Sequence, residues 1–184
     1  KKNISISARL ILFISSSFFI ISFLLRASSL YNLAEEKKIN RNKDISPTYI
    51  KLYNQFNNNG LFLYQFGLIK RSQAKYEEAA ELFDRASSYI LTEKFLLSIA
   101  ETNIVLQRFE KAHAILNKLT DIIPNRLYPR LLLLKISFLK KEYDLAEDQA
   151  RALIRMKEKV KSKKSTSIKL KAEEYLNTIH EKRN

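Results

Sequence analysis

One pattern recurs along the chain at a spacing that leaves few folds open. In Tyr76 to Ser87, YEEAAELFDRAS, an aromatic stands three residues before a pair of alanines, with Phe83 and Ala86 following at helical spacing. Phe109 opens FEKAHAILNKLTDIIPN 33 residues later, with Ala112, Leu116 and Leu119 in the matching places. A further 34 residues on, Tyr143 opens YDLAEDQARALI, with Ala146, Ala150 and Leu153. Self-similarity at a fixed period of this size marks a stack of supersecondary units, none of which can bury its apolar side alone. Ala79, Ala112 and Ala146 are small because two helices of one unit approach there. The aromatics at 76, 109 and 143 fill the space beside them.

Upstream of each aromatic, Phe66-Gly67, Ile99-Ala100 and Leu133-Leu134 occupy equivalent places in a preceding helix. A period of about 34 with an aromatic, two polar residues and alanine resembles the tetratricopeptide (TPR) repeat, a helix-turn-helix unit. Pro124 falls at a repeat end, where that pattern has its proline. Only the first copy keeps the small glycine; Leu134 in the third predicts that its two helices pack less closely. Two glycines and three prolines in 184 residues supply little material for the turns of a sheet protein. The expected class is therefore all-α, a TPR-like α-solenoid of helix-turn-helix repeats with an N-terminal transmembrane helix and a C-terminal capping helix.

The membrane expectation comes from Leu10 to Leu25, LILFISSSFFIISFLL, an uncharged run of 16 residues between Arg9 and Arg26. As a helix it is roughly 24 Å long, against a hydrocarbon core of about 30 Å. Arginines at both ends can snorkel and extend the span. A signal peptide, with Lys1, Lys2 and Arg9 as its basic region and Ala27-Ser28-Ser29 as its cleavage site, is an alternative, and a buried core helix is another. The helix is expected to continue past the span and break in INRNKD, with Ser46-Pro47-Thr48 starting the next, capped by Ser46. The domains read as 1–27, a span with basic flanks; 28–59, a degenerate first helix pair, near 28–40 and 47–57, with an NNNG turn; 60–156, three repeats; and 157–184, a basic loop and a capping helix. In that last helix Ser165 or Ser167 is the expected cap, and Ile168, Ala172, Tyr175 and Ile179 mark the apolar face.

A narrower likeness rests on TYIKLYNQF, NNNGLFLYQFG, IIPNRLYPRLLLLKI and MKEKVKSKKSTSIKLKAEEYL following a single span. These resemble the C-terminal region of O-antigen ligase or polymerase-like bacterial membrane proteins, with Pro124 to Pro129 and the basic stretch Lys157 to Lys164 as the most specific parts. The resemblance implies an inner-membrane protein whose repeats face the periplasm, and an accessory surface for acidic glycan or lipid-linked oligosaccharide. In that family the glycosyl-transfer chemistry lies upstream, so it brings no catalytic residue here. The local charges alone, Arg26, Lys37, Lys38, Arg41 and Lys43 after the span against three before it, would instead keep the repeats in the cytoplasm. A membrane-anchored TPR adaptor for protein complex assembly is the other functional class.

Nothing in the chain reads as catalytic. His113 and His180 are expected on exposed helix faces, and Glu77-Glu78 and Glu173-Glu174 point about 100° apart on a helix, as solvated carboxylates do. No glycine-rich phosphate loop, metal-ligand cluster or nucleophile elbow occurs in the sequence, so no enzyme activity, cofactor or metal is expected. The net charge of +14 divides as +6 over residues 1–59, +1 over 60–150 and +7 over 151–184. A nucleic-acid groove would run as a continuous basic stripe, so the excess at the two ends argues against nucleic acid and towards anionic headgroups or acidic glycan. A binding surface, on TPR geometry, is the concave face lined by the first helix of each pair. The residues expected there are Tyr64, Leu68 and Arg71, then Lys94, Leu97 and Glu101, then Tyr128, Leu131 and Lys135, a mixture of aromatic and basic side chains that suits a protein or peptide partner or an acidic sugar.

Overall fold

The computed structural model describes residues 6–39, 44–157 and 162–183. Their regular secondary structure is all helical, and they fall into two compact units, within residues 1–58 and 59–184. The first unit holds α1 (Ile6–Ile39) and α2 (Ser46–Phe56). The second holds three helix pairs, α3 (Gly60–Ser72) with α4 (Tyr76–Ala86), α5 (Glu93–Val105) with α6 (Phe109–Ile122), and α7 (Leu127–Leu139) with α8 (Tyr143–Arg155), followed by α9 (Lys163–Arg183).

In the first unit α1 runs without interruption past Arg26 to Ile39, so the helix expected near 28–40 is, as expected, the continuation of the one before it. The transmembrane expectation for 1–27 is not met: among the described residues no helix is long and apolar enough to cross a membrane. The uncharged run is shorter than the roughly 20 residues a span needs, and Ser15, Ser16 and Ser17 dilute its middle. The flank Lys1-Lys2 and Asn40 to Lys43 of INRNKD lie outside the described residues. In α2, Pro47 sits in the first turn as expected. Ser46 is not the cap: the N-cap position is Ile45, without a side-chain cap bond, and Asp44 Oδ1 accepts the Ser46 N–H at 2.9 Å in the turn before it.

In the second unit Asn59 caps α3 by accepting the Phe62 N–H on Oδ1 at 2.9 Å. Gly60, expected in a turn, is the first residue of that helix, and nothing larger fits there: a Cβ would lie 2.4 Å from Cβ of Tyr89. Each pair then closes through the same turn. Ala74, Gln107 and Lys141 adopt φ of 59°, 57° and 63°. Around them Lys75 N–H donates to Lys70 O, Arg108 to Asn103 O and Glu142 to Ser137 O, at 2.8–2.9 Å, while Ala74, Gln107 and Lys141 donate to the carbonyls of Arg71, Ile104 and Phe138. This is the Schellman arrangement, which satisfies carbonyls the helix end leaves open. The residue after each left-handed position serves both helices, since the carbonyls of Lys75, Arg108 and Glu142 accept the N–H of Ala79, Ala112 and Ala146.

Those three alanines are fully buried, as the spacing requires, and the aromatics Tyr76, Phe109 and Tyr143 are half-buried. Deeper in each pair, a shared volume is divided differently. Gly67 faces Phe83, and a Cβ on it would lie 2.4 Å from Phe83 Cε1. The equivalent residues are Ala100 and Leu116 in the second pair, in one apolar cluster, and Leu134 and Ala150 in the third, in another. All of these are fully buried apart from Gly67, which is also interior. The first-helix residue grows from Gly to Ala to Leu as its partner shrinks from Phe to Leu to Ala. The bulk of Leu134, which the sequence suggested would part the third pair, is thus accommodated by Ala150.

Phe83 also packs with Tyr64 and Phe95, ring centroids 5.3–6.2 Å apart, joining the first pair to the second. At the other end α9 lays Ile168, Ala172 and Ile179 on α7 and α8, and Phe138 meets Tyr143 and Tyr175 at 5.9 and 5.0 Å. Its cap is Ser162, a turn earlier than expected: Ser162 Oγ accepts the Ser165 N–H and Ser165 Oγ accepts the Ser162 N–H, each at 3.0 Å. The first helices touch in series, α3 on α5, α5 on α7 and α7 on α9, whereas α4, α6 and α8 do not approach one another as closely. The closer-spaced row is the inner row of a curved stack.

Two expectations follow. Gly67→Ala should lower the unfolding free energy by about 1–3 kcal/mol through overpacking, and Phe83→Leu in the same chain should recover part of that loss; denaturant melts that show additive effects would refute the shared volume. Glycine at the exposed positions 74, 107 and 141 should each raise stability by up to about 1 kcal/mol, since a side chain in the left-handed region carries a cost of that order; a lowered midpoint at all three would refute the turn geometry.

Candidate functional site

The inner face carries a chain of polar contacts that steps from one first helix to the next. Arg71 on α3 donates through Nη1 to Glu101 Oε2 on α5 at 2.7 Å and reaches the Ser98 carbonyl at 3.4 Å. The other oxygen of Glu101 accepts the Tyr128 hydroxyl of α7 at 2.7 Å. Arg71, Glu101 and Tyr128, all half-buried, are thus joined through the two oxygens of one carboxylate. Burial, helped by the Glu101 carboxylate, pushes the Tyr128 phenol up to about 12. Charge-assisted bonds of this length in a partly dry setting are stronger than neutral ones, so the three side chains are held in place before any ligand arrives.

Beyond Tyr128 the ladder opens into a cavity of about 480 Å³ between α5, the α6–α7 turn, α7 and the start of α9. Its apolar lining includes Leu97, Ile123, Leu127 and Ile168, with Tyr128 as one wall. Its charged lining is Arg126, Lys157 and Lys164 against Glu93. Glu93 is engaged by Arg126 at 3.2 Å. Lys164 Nζ lies 5.8 Å from the centroid of the Tyr128 ring, within reach of a cation–π contact.

The residues expected on the concave face divide into three sets. Tyr64 and Leu131 are only 5% and 6% exposed and belong to the core: Tyr64 stacks with Phe83 and Phe95, its hydroxyl 3.3 Å from Ser98 Oγ, and Leu131 joins the cluster under α9. Arg71, Glu101 and Tyr128 form the ladder, with Leu97 and Tyr128 continuing into the cavity. Leu68 and Lys135 are half-exposed and Lys94 is exposed, outside both. The sequence did not bring out Arg126, Lys157, Lys164 and Ile168 as one site. The signal lay in two stretches singled out separately, Pro124 to Pro129 and Lys157 to Lys164, which the fold brings to the same cavity; residues 158–161 of the second lie outside the described residues.

No constellation suited to catalysis is seen among the described residues. His113 Nδ1 sits 3.2 Å from Asn117 Nδ2 on an exposed face, and His180 Nε2 sits 3.4 Å from Glu147 Oε1 at the chain's far end. No group of side chains among the described residues is placed to hold a metal ion.

The class these features define is an all-α, TPR-like helical repeat, and solved structures bear out that fold. PcrH from Pseudomonas aeruginosa superposes with a TM-score of 0.57 at 13% identity, over 66% of this chain and 91% of that one. YrrB, described as a TPR protein with an unusual peptide-binding site, gives 0.57 at 15% identity over 70% and 66%. MamA from Desulfovibrio magneticus RS-1 gives 0.59 at 13% identity over 87% and 93%. No family model matches the chain, and no curated protein matches it.

The ladder predicts a titration. A tyrosine pKa raised in the folded state contributes stability below its ordinary value of 10.0 that is lost as the pH rises through about 12. Alkaline difference spectra against Tyr128→Phe should show this tyrosine ionising near that upper value, and Glu101→Gln should bring it down by removing the neighbouring negative charge; an unshifted titration in Glu101→Gln would remove Glu101 from the account.

Proposed function

We propose that the chain is a non-catalytic interaction module whose inner face, from α3 to α9, receives a protein or peptide partner. The observation that carries this reading is the cavity at the end of the Arg71–Glu101–Tyr128 ladder, apolar within and basic at the rim, on the row of helices that faces inward. Concave, mostly apolar sites with a few fixed polar groups are where ligands seat. The similarity in fold to YrrB, which is described as having a peptide-binding site, supports the same reading.

A second element of the proposal is that α1 anchors the module to a membrane. Support comes from its crowd of exposed large apolar side chains, Ile14, Phe18, Phe19, Phe23, Leu24 and Leu25 among them, each 58% exposed or more. Patches of that extent are not stable in water without a cover. We place the module in an adaptor that assembles protein complexes at that surface. The alternative context is the C-terminal, periplasmic part of an O-antigen ligase or polymerase-like protein of the bacterial inner membrane, with acidic glycan or lipid-linked oligosaccharide nearby; it rests on the quoted sequence segments. A reading frame that continues upstream through about ten further apolar spans would favour that context over the adaptor.

The test is site-specific photocrosslinking in cells, with the reactive side chain at Lys94 or Lys135 on the inner row and at Lys118 or Arg151 on the outer helices. Adducts to a discrete protein band should form from the inner positions; adducts from the outer positions alone would overturn the reading. Flotation with anionic vesicles should carry the full chain upward and should be lost when Phe19 and Phe23 are both changed to serine, and retention by that variant would count against membrane anchoring through α1.

A further inference from the structure

We infer that the cavity bounded by α5, α7 and the first turn of α9 docks an acidic segment of a partner protein, one that inserts an apolar side chain and sets carboxylates on Lys157 and Lys164. The inference deepens the reading given under Proposed function by naming the partner's chemistry, and it depends on that reading.

The lining decides the chemistry. Three cations face one acid, and that acid, Glu93, is already engaged by Arg126 at 3.2 Å. Lys157 and Lys164 are both exposed. Among the described residues Lys164 has only an aromatic ring beside it, the Tyr128 face at 5.8 Å, and neither lysine meets a carboxylate. Two uncompensated ammonium groups at the mouth of a partly dry site favour a polyanionic occupant. Neutral side-chain donors for a small anion come down to Asn125, since Ser162 and Ser165 are committed to each other as the cap of α9.

The interior decides against a bare polyanion. Leu97, Ile123, Leu127 and Ile168 line the cavity, and Ile168 and Leu127 are each only 8% exposed. At about 480 Å³ the space lies in the range of sites that take most of a ligand's surface out of water. The apolar surface left open is that of Leu97 and Ile123, both half-exposed, and an apolar side chain seated on them removes it from water. A carbohydrate presents hydroxyl groups that would find no partners against these residues. Alternating apolar and acidic side chains match the arrangement, and the ladder supplies a prepared wall, because Tyr128 is fixed by Glu101 and Glu101 by Arg71.

The experiment uses the full chain in a mild detergent, which covers the apolar side chains of α1, and a short fluorescein-labelled peptide of alternating glutamate and leucine, read by anisotropy. The wild-type chain should bind it. Lys157→Glu with Lys164→Glu should weaken binding at least about tenfold, whereas the same charge change at Lys118 and Lys171 should leave it within about twofold. Leu97→Ala should weaken it several-fold with an unchanged helical circular dichroism spectrum, and an all-polar glutamate–serine peptide should bind worse. Raising the salt from about 0.05 M to about 0.3 M should weaken binding by the wild type more than by the double charge reversal. Equal binding by the two charge-reversed chains overturns the inference. So does an acidic oligosaccharide such as polyglucuronate binding where the peptide does not. Crosslinks from the inner row with no peptide binding would defeat this inference and leave the broader function standing; loss of those crosslinks would defeat the function itself.

Discussion

The space between the two helices of a pair is the constraint on which the rest of the second unit depends. Interiors are packed at nearly crystalline density, so what one helix takes the other must yield. In this chain the same slot is filled by Gly67 with Phe83, Ala100 with Leu116 and Leu134 with Ala150. Neither side is fixed in identity; their combined bulk is. With that spacing set, the alanines one turn into each second helix can be fully buried and the three-residue turns can close. With the pairs closed, the first helices stack directly on one another, and an inner face exists.

That inner face is not a uniformly open groove. Its first two steps are occupied by the protein's own side chains, since Arg71, Glu101 and Tyr128 bind each other across three helices. Openness begins where the ladder ends. There the charge also changes: the repeats carry thirteen basic against twelve acidic residues, and the following segment, 151–184, carries eleven against four. Within the repeats most of the charge is spent locally, as in Arg108 with Glu77, Lys111 with Asp84 and Lys70 with Glu78. Beside the cavity, among the described residues, Lys157 and Lys164 pair with no carboxylate, and Glu93 is engaged by Arg126. The electrostatic character of the candidate site therefore follows from where the repeat pattern stops.

Much of this was legible in the sequence, and what was not has identifiable causes. The period, the buried alanines and the apolar face of α9 follow from spacing alone, because a solenoid repeats its geometry wherever it repeats its packing. The turns gave no sign. A left-handed residue is usually announced by glycine, yet Ala74, Gln107 and Lys141 hold those positions, kept there by hydrogen bonds at both neighbouring helix ends. Tyr64 and Leu131 were placed on the open face because helical spacing fixes relative directions but not how wide the buried arc is. A first helix here touches its own partner and also the next pair, so α3, against α4 and α5, buries Phe62, Leu63, Tyr64, Phe66 and Gly67. The cavity was beyond reach for a different reason: Leu97, Arg126 and Lys157 lie roughly thirty residues apart in steps, and only the stacking of α9 on α7 gives them a common space.

The last helix closes the core and also borders the candidate cavity. At 21 residues α9 is longer than any helix of the repeats, and its attachment has two parts. Ion pairs join Arg183 to Asp144 and to Glu147, and Arg151 and His180 share the same glutamate; the Arg151 hydrogen bond, then that of His180, holds the Glu147 carboxyl below its ordinary range. These groups lie at the surface, where salt and water weaken them. Beneath them Ile168 and Ile179 are buried, each worth roughly 1.5–3 kcal/mol, so apolar contact is the main hold. Ile168 is the residue common to both roles, since it belongs to the cluster that seats α9 and also lines the cavity. Ile168 is already nearly buried, at 8% exposed, so the wall of the cavity at this point is the core that seats α9, and its position is set by the packing of that helix.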